Sequence, residues 1–187
     1  MSTITLKETD YDAAFSTCWK ELKREFFKCE TLQVYNEESE RELLNLFHSG
    51  QHDQLQQLLR ADVEDPDSIW NDAQTRGLSF LRVHVYQRPL SEYLRFEIEA
   101  YKIQAETCED IRMVHLDRLQ KGGLNNVRDF MLFDGGKALI PEFSENNTLI
   151  GAVLSDEHKV LEPLLQQREI LLRIGVPLHE LVQSERT

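Results

Sequence analysis

The chain changes its hydrophobic period near residue 78. Before that point apolar residues recur at spacings of three and four: Phe15, Cys18 or Trp19, Leu22 and Phe26 over Asp10–Phe27, then Leu55, Leu58 and Leu59 over His52–Arg60. Such spacing predicts packing helices. Between them Glu30–Asn36 has extended character, and Asn36 is a candidate N-cap for a helix over Glu37–Ser49 that Gly50 would stop. The acidic stretch Asp62–Asp67 predicts a loop. Pro66 then suits the first position of a helix through Arg76, with Trp70 as its anchor and Gly77 as its stop.

From Ser79 the period is two. Leu81, Val83 and Val85 point one way and Phe80, Arg82, His84 and Tyr86 the other, which predicts a strand over Ser79–Gln87. Pro89 ends it, Ser91 and Glu92 suit a first helical turn, and Leu90, Leu94, Glu97, Ile98, Tyr101 and Ala105 share one side of a helix over Leu90–Glu106. A second strand, Asp110–Leu116, completes a βαβ unit whose strands should run parallel. Next, Gln120–Arg128 predicts a mobile loop. Asp129–Asp134, Lys137–Phe143 and Thr148–Ser155 predict an antiparallel meander turned by Asp134-Gly135-Gly136 and Ser144–Asn147. A helical region from Asp156 to Ile174 carries Pro163, where a kink or break is expected, and Val176–Gln183 predicts a short closing helix.

The fold expected is α+β, a single domain over residues 1–187. A helical N-terminal part spans 1–77 and a βαβ–meander–helix part spans 78–187. The mixed sheet should hold about five strands, with helices on one face and the N-terminal helical part closing over the other.

Composition narrows the function classes. The net charge of −12 is uneven: residues 1–76 hold 8 basic and 16 acidic side chains, residues 77–187 hold 13 and 17. Nucleic-acid binding draws on lysine and arginine clusters, of which this chain has none, so direct DNA or RNA binding is not expected. The apolar runs are too short to span a bilayer, and the N-terminus lacks a basic region followed by an apolar stretch; cytoplasmic residence is expected, with no membrane contact. Cys18, Cys29 and Cys108 are odd in number and widely spaced, which suits reduced thiols.

Glu97 stands inside an apolar stripe and calls for a cation, for which Arg82 and Arg112 on the two flanking strands are the candidates. The polar set Glu30, Tyr35, Arg82, Tyr93, Arg95, Glu97, Arg112 and Asp134 has two readings. It is either an ion-pair network fixing helix to sheet, or part of a pocket where Arg82, His84, Arg112, Glu97, Tyr93 and Tyr35 meet a small anionic or polar ligand. His84 and His115 lack cysteine or carboxylate at ligand spacing, and His48 and His52 are separated by Gly50, so no metal site is expected. Gly122-Gly123 and Gly135-Gly136 lack the strand–glycine–helix context of a phosphate cradle, and no nucleophile motif or cofactor motif is present.

Several stretches carry a resemblance: Phe27-Lys28-Cys29-Glu30 with Tyr35, Trp70, Arg82-Val83 with Val85, Pro89-Leu90 with Tyr93-Leu94-Arg95-Phe96-Glu97, Glu109-Asp110-Ile111-Arg112, and Asp129-Phe130 with Phe133-Asp134. Together they resemble a bacterial family, common in actinobacteria, known only as a domain of unknown function. Its members tend to have arginine where Lys28 stands, glycine at Cys108 and tryptophan at Met131. The resemblance implies genes that often sit beside helix-turn-helix regulators. More distantly, the order from Ser79 onward is similar to half of a phospholipase D-like domain. Enzymes of that fold need a histidine and a lysine two residues apart, and the nearest match here is His115-Leu116-Asp117. An aspartate there would repel phosphate. The function expected is a non-enzymatic regulatory or interaction module. Its candidate partners are a small ligand, a helix-turn-helix regulator or other protein, and a second copy of the chain. The rivals are an enzyme using the arginine–glutamate–histidine face and a toxin–antitoxin or defence component acting by protein contact.

Overall fold

The computed structural model describes residues 2–184. It is an α+β fold around one mixed sheet of eight strands, ordered β1-β7-β6-β5-β2-β3-β4-β8. The strands are β1 Thr3–Lys7, β2 Glu25–Glu30, β3 Ser79–Tyr86, β4 Glu109–His115, β5 Phe130–Phe133, β6 Lys137–Phe143, β7 Leu149–Ser155 and β8 Val176–Pro177. The helices are α1 Glu8–Glu21, α2 Arg41–His48, α3 His52–Glu64, α4 Ile69–Arg76, α5 Glu92–Thr107, α6 Leu116–Lys121, α7 His158–Ile174 and α8 Leu178–Ser184, with a 3-10 turn at Glu38–Glu40 before α2.

The βαβ unit β3–α5–β4 and the meander β5–β6–β7 form where their patterns predict them, β3 and β4 running parallel. Ser91 caps α5 by accepting the Leu94 N–H at 3.0 Å. Asp134 and Gly135, both at positive φ, make the tight β5–β6 turn that the Asp-Gly pair foretells.

The sheet is wider than expected. Phe26 and Phe27 belong not to the first helix, which ends at Glu21, but to β2 in the middle of the sheet, parallel to β3 and antiparallel to β5. β2 and β3 are therefore joined by a second parallel crossover, through α2, α3 and α4. At one edge β1 pairs with β7, and at the other the two residues of β8 pair with β4. Asn36 makes no cap, and α3 runs on to Glu64 because Val63 is buried in the same cluster as Leu55 and Leu59. The stretch expected as a loop from Gln120 instead begins with the end of α6, and α7 continues unbroken through Pro163.

The helices are also distributed differently. α6 and α7 pack on the face of Phe27, Val83, Val85, Val114, Leu132 and Ile140. The N-terminal helices share the opposite face with α5 and α8 rather than facing α5 across the sheet. Period-two alternation decides this, since Phe26, Phe80, Tyr86 and Met113 all point to that second face.

Asp134 ties the two halves of the sheet together. Its carboxylate accepts the N–H groups of Lys23, Arg24 and Glu25 at 2.8–2.9 Å, holding the α1–β2 turn against the β5–β6 hairpin. Partial burial opposes its charge, but the three donors hold its carboxyl below the usual range. Asp134→Ala removes the acceptor and places alanine at φ 52°. It should lower unfolding free energy in urea by roughly 1–3 kcal/mol, with Asp134→Asn recovering the part due to the backbone.

Candidate functional site

The face beneath α5 carries a polar cluster set by strand register. Lys28 pairs with Arg82 across β2 and β3, Glu30 with His84, and Phe80 with Glu109 across β3 and β4. Arg82, only 6% exposed, thus has a carboxylate diagonal to it on each side. Its Nε donates to Glu109 Oε1 at 2.5 Å and its Nη1 to Glu30 Oε2 at 3.1 Å, while the guanidinium lies 4.7 Å from the centre of the Tyr101 ring. Trp70 Nε1 donates to the second oxygen of Glu109 at 2.8 Å, and Lys28 Nζ lies 2.6 Å from the second oxygen of Glu30.

Burial would raise the Glu30 carboxyl, but Arg82 and Lys28 hold it well below its ordinary value. His84, fully buried, gives its Nε2 proton to the Leu32 carbonyl at 3.1 Å, since a carbonyl has none to offer. Its Nδ1 lies 2.9 Å from the Tyr101 hydroxyl, which in turn lies 2.8 Å from Glu30 Oε2.

Glu97 differs from expectation. It is 7% exposed, yet it makes no hydrogen bond or ion pair among the described residues, because Arg82 is already taken by Glu30 and Glu109. Arg112 is no partner either. It lies on the other face of β4, bonded to Asp110 and to the Leu172 carbonyl at 2.9 Å. Burial, reinforced by Glu40 and Glu30 and opposed by Arg82 and His84, pushes the Glu97 carboxyl up to about 8. Burial also pushes Glu40 up to about 7, although the Tyr93 hydroxyl donates to it at 2.6 Å.

Tyr35 gives its proton to Asp129 Oδ2 at 2.5 Å, and Asp129 Oδ1 accepts from the Thr31 N–H and hydroxyl. These groups adjoin an open cleft of about 520 Å³ at the carboxyl end of β2, walled by α1, the segment 35–41, and β5 to β7. Of the six ligand candidates read from sequence, only Tyr35 lines this cleft; Arg82, His84, Glu97 and Tyr93 lie behind it and Arg112 is remote. Lys28, Glu30, Tyr11 and Asp129, which do line it, were not singled out as ligand contacts. Among the described residues there is no group of three or more histidine, cysteine or acidic side chains suited to a metal, and no helix long and apolar enough to cross a membrane. The three cysteines are free.

Two predictions follow from this geometry. Arg82→Met leaves two buried carboxylates without their shared cation and should cost roughly 3–5 kcal/mol in urea unfolding, against about 1 kcal/mol or less for the partly exposed Arg112→Ala. The Glu40 charge contributes to the rise at Glu97. The folded chain holds more protons than the unfolded one between the ordinary glutamate value of 4.5 and about 8, so stability should fall as pH rises through that window. Glu97→Gln should flatten this slope and melt above wild type at pH 8.5. An unchanged slope would place the titration elsewhere.

Comparisons with known proteins agree with this architecture. Nuc, a phospholipase D family member from Salmonella typhimurium, superposes with a TM-score of 0.52 at 12% identity, over 94% of this chain and 97% of that one. NucT from Helicobacter pylori gives 0.50 at 9%, over the same shares of the two chains. TrmBL2, an archaeal chromatin protein whose structure shows a mode of DNA binding, gives 0.50 at 9%; 94% of this chain is covered but only 55% of that one. The likeness is one of fold, and it takes in nearly the whole chain rather than only the part after Ser79. No curated protein matches the sequence. A family profile matches residues 13–183, and the chain belongs to that family, the domain of unknown function DUF6879.

Proposed function

We propose that this domain is a non-enzymatic binding module that holds a small polar ligand in the cleft beside β2, Tyr35 and Asp129. On this reading it works in the cytoplasm and passes the bound state to a protein partner such as a helix-turn-helix regulator. One observation carries it: the charged groups around Arg82 are closed on one another, while the cleft next to them is open. Arg82, Glu30, Glu109, Tyr101 and His84 are buried with their partners inside the protein. Outside that network His115 Nδ1 accepts the Asp117 N–H at 3.2 Å as the cap of α6, with the Asp117 carboxylate, not a lysine, beside it. A phosphodiester would meet negative charge there. A cleft of this volume suits a drug-sized ligand.

Thermal-shift screening of small polar compounds tests the reading, with Ser39→Trp as the blocking variant, because Ser39 is an exposed residue lining the cleft. Stabilising compounds should lose their effect in that variant. The purified protein should leave activated phosphodiesters intact with and without divalent metals. Turnover that disappears in His115→Ala would overturn the proposal in favour of an enzyme.

A further inference from the structure

The cleft's charge is concentrated where the protein does not neutralise it. At its floor Lys28 faces Glu30, and Asp129 is taken up by Tyr35 and Thr31. The rim is different. Glu8 and Asp12 on α1 and Glu37 before the 3-10 turn line the cleft, are exposed, and form no ion pair among the described residues, whereas Glu38 is matched by Arg41 at 2.5 Å. The lining also includes Tyr11, Tyr35 and Phe143, the rings of the last two edge to face at 5.5 Å.

An anion would pass three unmatched carboxylates to reach an ammonium already bound to Glu30. A cation would be drawn in by the same carboxylates and would then meet aromatic side chains in the wall, a type of neighbour that retains ammonium and guanidinium groups.

We propose that the cleft is a site for an organic cation, a primary amine or guanidinium, drawn in by Glu8, Asp12 and Glu37 and held against Tyr11, Tyr35 and Phe143. This rests on the reading of the cleft as the binding site and names its ligand class, which is the opposite of the anion that Arg82 and Arg112 suggest in the sequence. The two arginines do not reach the cleft, so their charge does not set its preference. The protein's own groups sense the same field. Burial, opposed by Lys28 and reinforced by Glu37, Glu30 and Asp12, pushes the Tyr11 hydroxyl up to about 12.

Isothermal titration of the full chain with argininamide, spermidine, inorganic phosphate and citrate tests the class. A tripeptide with a central arginine and both ends blocked tests the source. The two cations should bind and the two anions should not, and raising salt from about 50 to about 300 mM should weaken the cations several-fold. The double variant Glu8→Gln, Asp12→Asn should weaken them about tenfold, as loss of two exposed charge contacts allows, with unliganded melting temperature recorded to show retained fold. Binding of the blocked tripeptide as tight as that of argininamide assigns the cation to a partner's side chain; binding of the free amines alone assigns it to a small molecule. Phosphate or citrate binding that Ser39→Trp abolishes keeps the cleft as the site and overturns the cation. No binding of either charge overturns the cation, and the thermal-shift screen of polar compounds then decides the cleft. Cation binding indifferent to both variants places the cation elsewhere and overturns this inference.

Discussion

Arg82 has to be neutralised inside the protein, and much of the architecture follows from that requirement. Its two carboxylates come from different strands, Glu30 on β2 and Glu109 on β4, so β2, β3 and β4 must lie side by side in one register. A slip of one residue in β3 would turn Arg82 onto the apolar face that α7 covers. Helices are fixed by the same charges, α5 through Tyr101 on Glu30 and α4 through Trp70 on Glu109. A buried ion cluster adds little net stability over an apolar replacement, because desolvation offsets the attraction. Its effect here is to specify which strands are neighbours and which helix faces turn inward.

The cluster is also balanced, and the balance explains its neighbours. Lys28 and Arg82 match Glu30 and Glu109, so a further carboxyl under α5 has no cation left to share. Glu97 and Glu40 therefore keep their protons to higher pH, while Glu30 a short distance away loses its proton readily. The contrast between Glu97 and Glu30 arises from partners, since the two are similarly deep.

How far the sequence could be read depended on the face each residue occupies. β3, α5, β4 and the meander have unambiguous periods and are where the pattern places them. β2 hid because Glu25–Glu30 is buried on both faces, so its apolar residues do not alternate, and Phe26 also fits the helical spacing of Phe15 and Leu22. β1 hid for the opposite reason, an almost wholly exposed edge strand with no core signal. Within the site the parity of β4 held more than was used. Ile111 and Met113 share the Arg82 face, so Glu109 does too and Arg112 cannot. The cleft was not legible, because its walls come from residues over a hundred positions apart, Glu8 to Leu149, and only the sheet order joins them.

That sheet order explains why a cleft exists at this place. The parallel strands β2, β3 and β4 meet the antiparallel set β5, β6, β7 and β1 at the seam between β2 and β5. The chain leaving β2 crosses toward β3 through α2, α3 and α4, whereas β6 and β7 turn back on the other side. In open sheets such a divergence at the carboxyl end of a strand leaves a crevice that no crossover fills. Here Asn36 bridges the two sides, its N–H on the Asn147 carbonyl at 3.1 Å and its amide on the Thr148 hydroxyl at 3.0 Å. The crevice is thus braced by the β6–β7 turn and floored by the outer members of the Arg82 cluster, Lys28 and Glu30. One network consequently fixes the strand order that opens the cleft and supplies part of its floor.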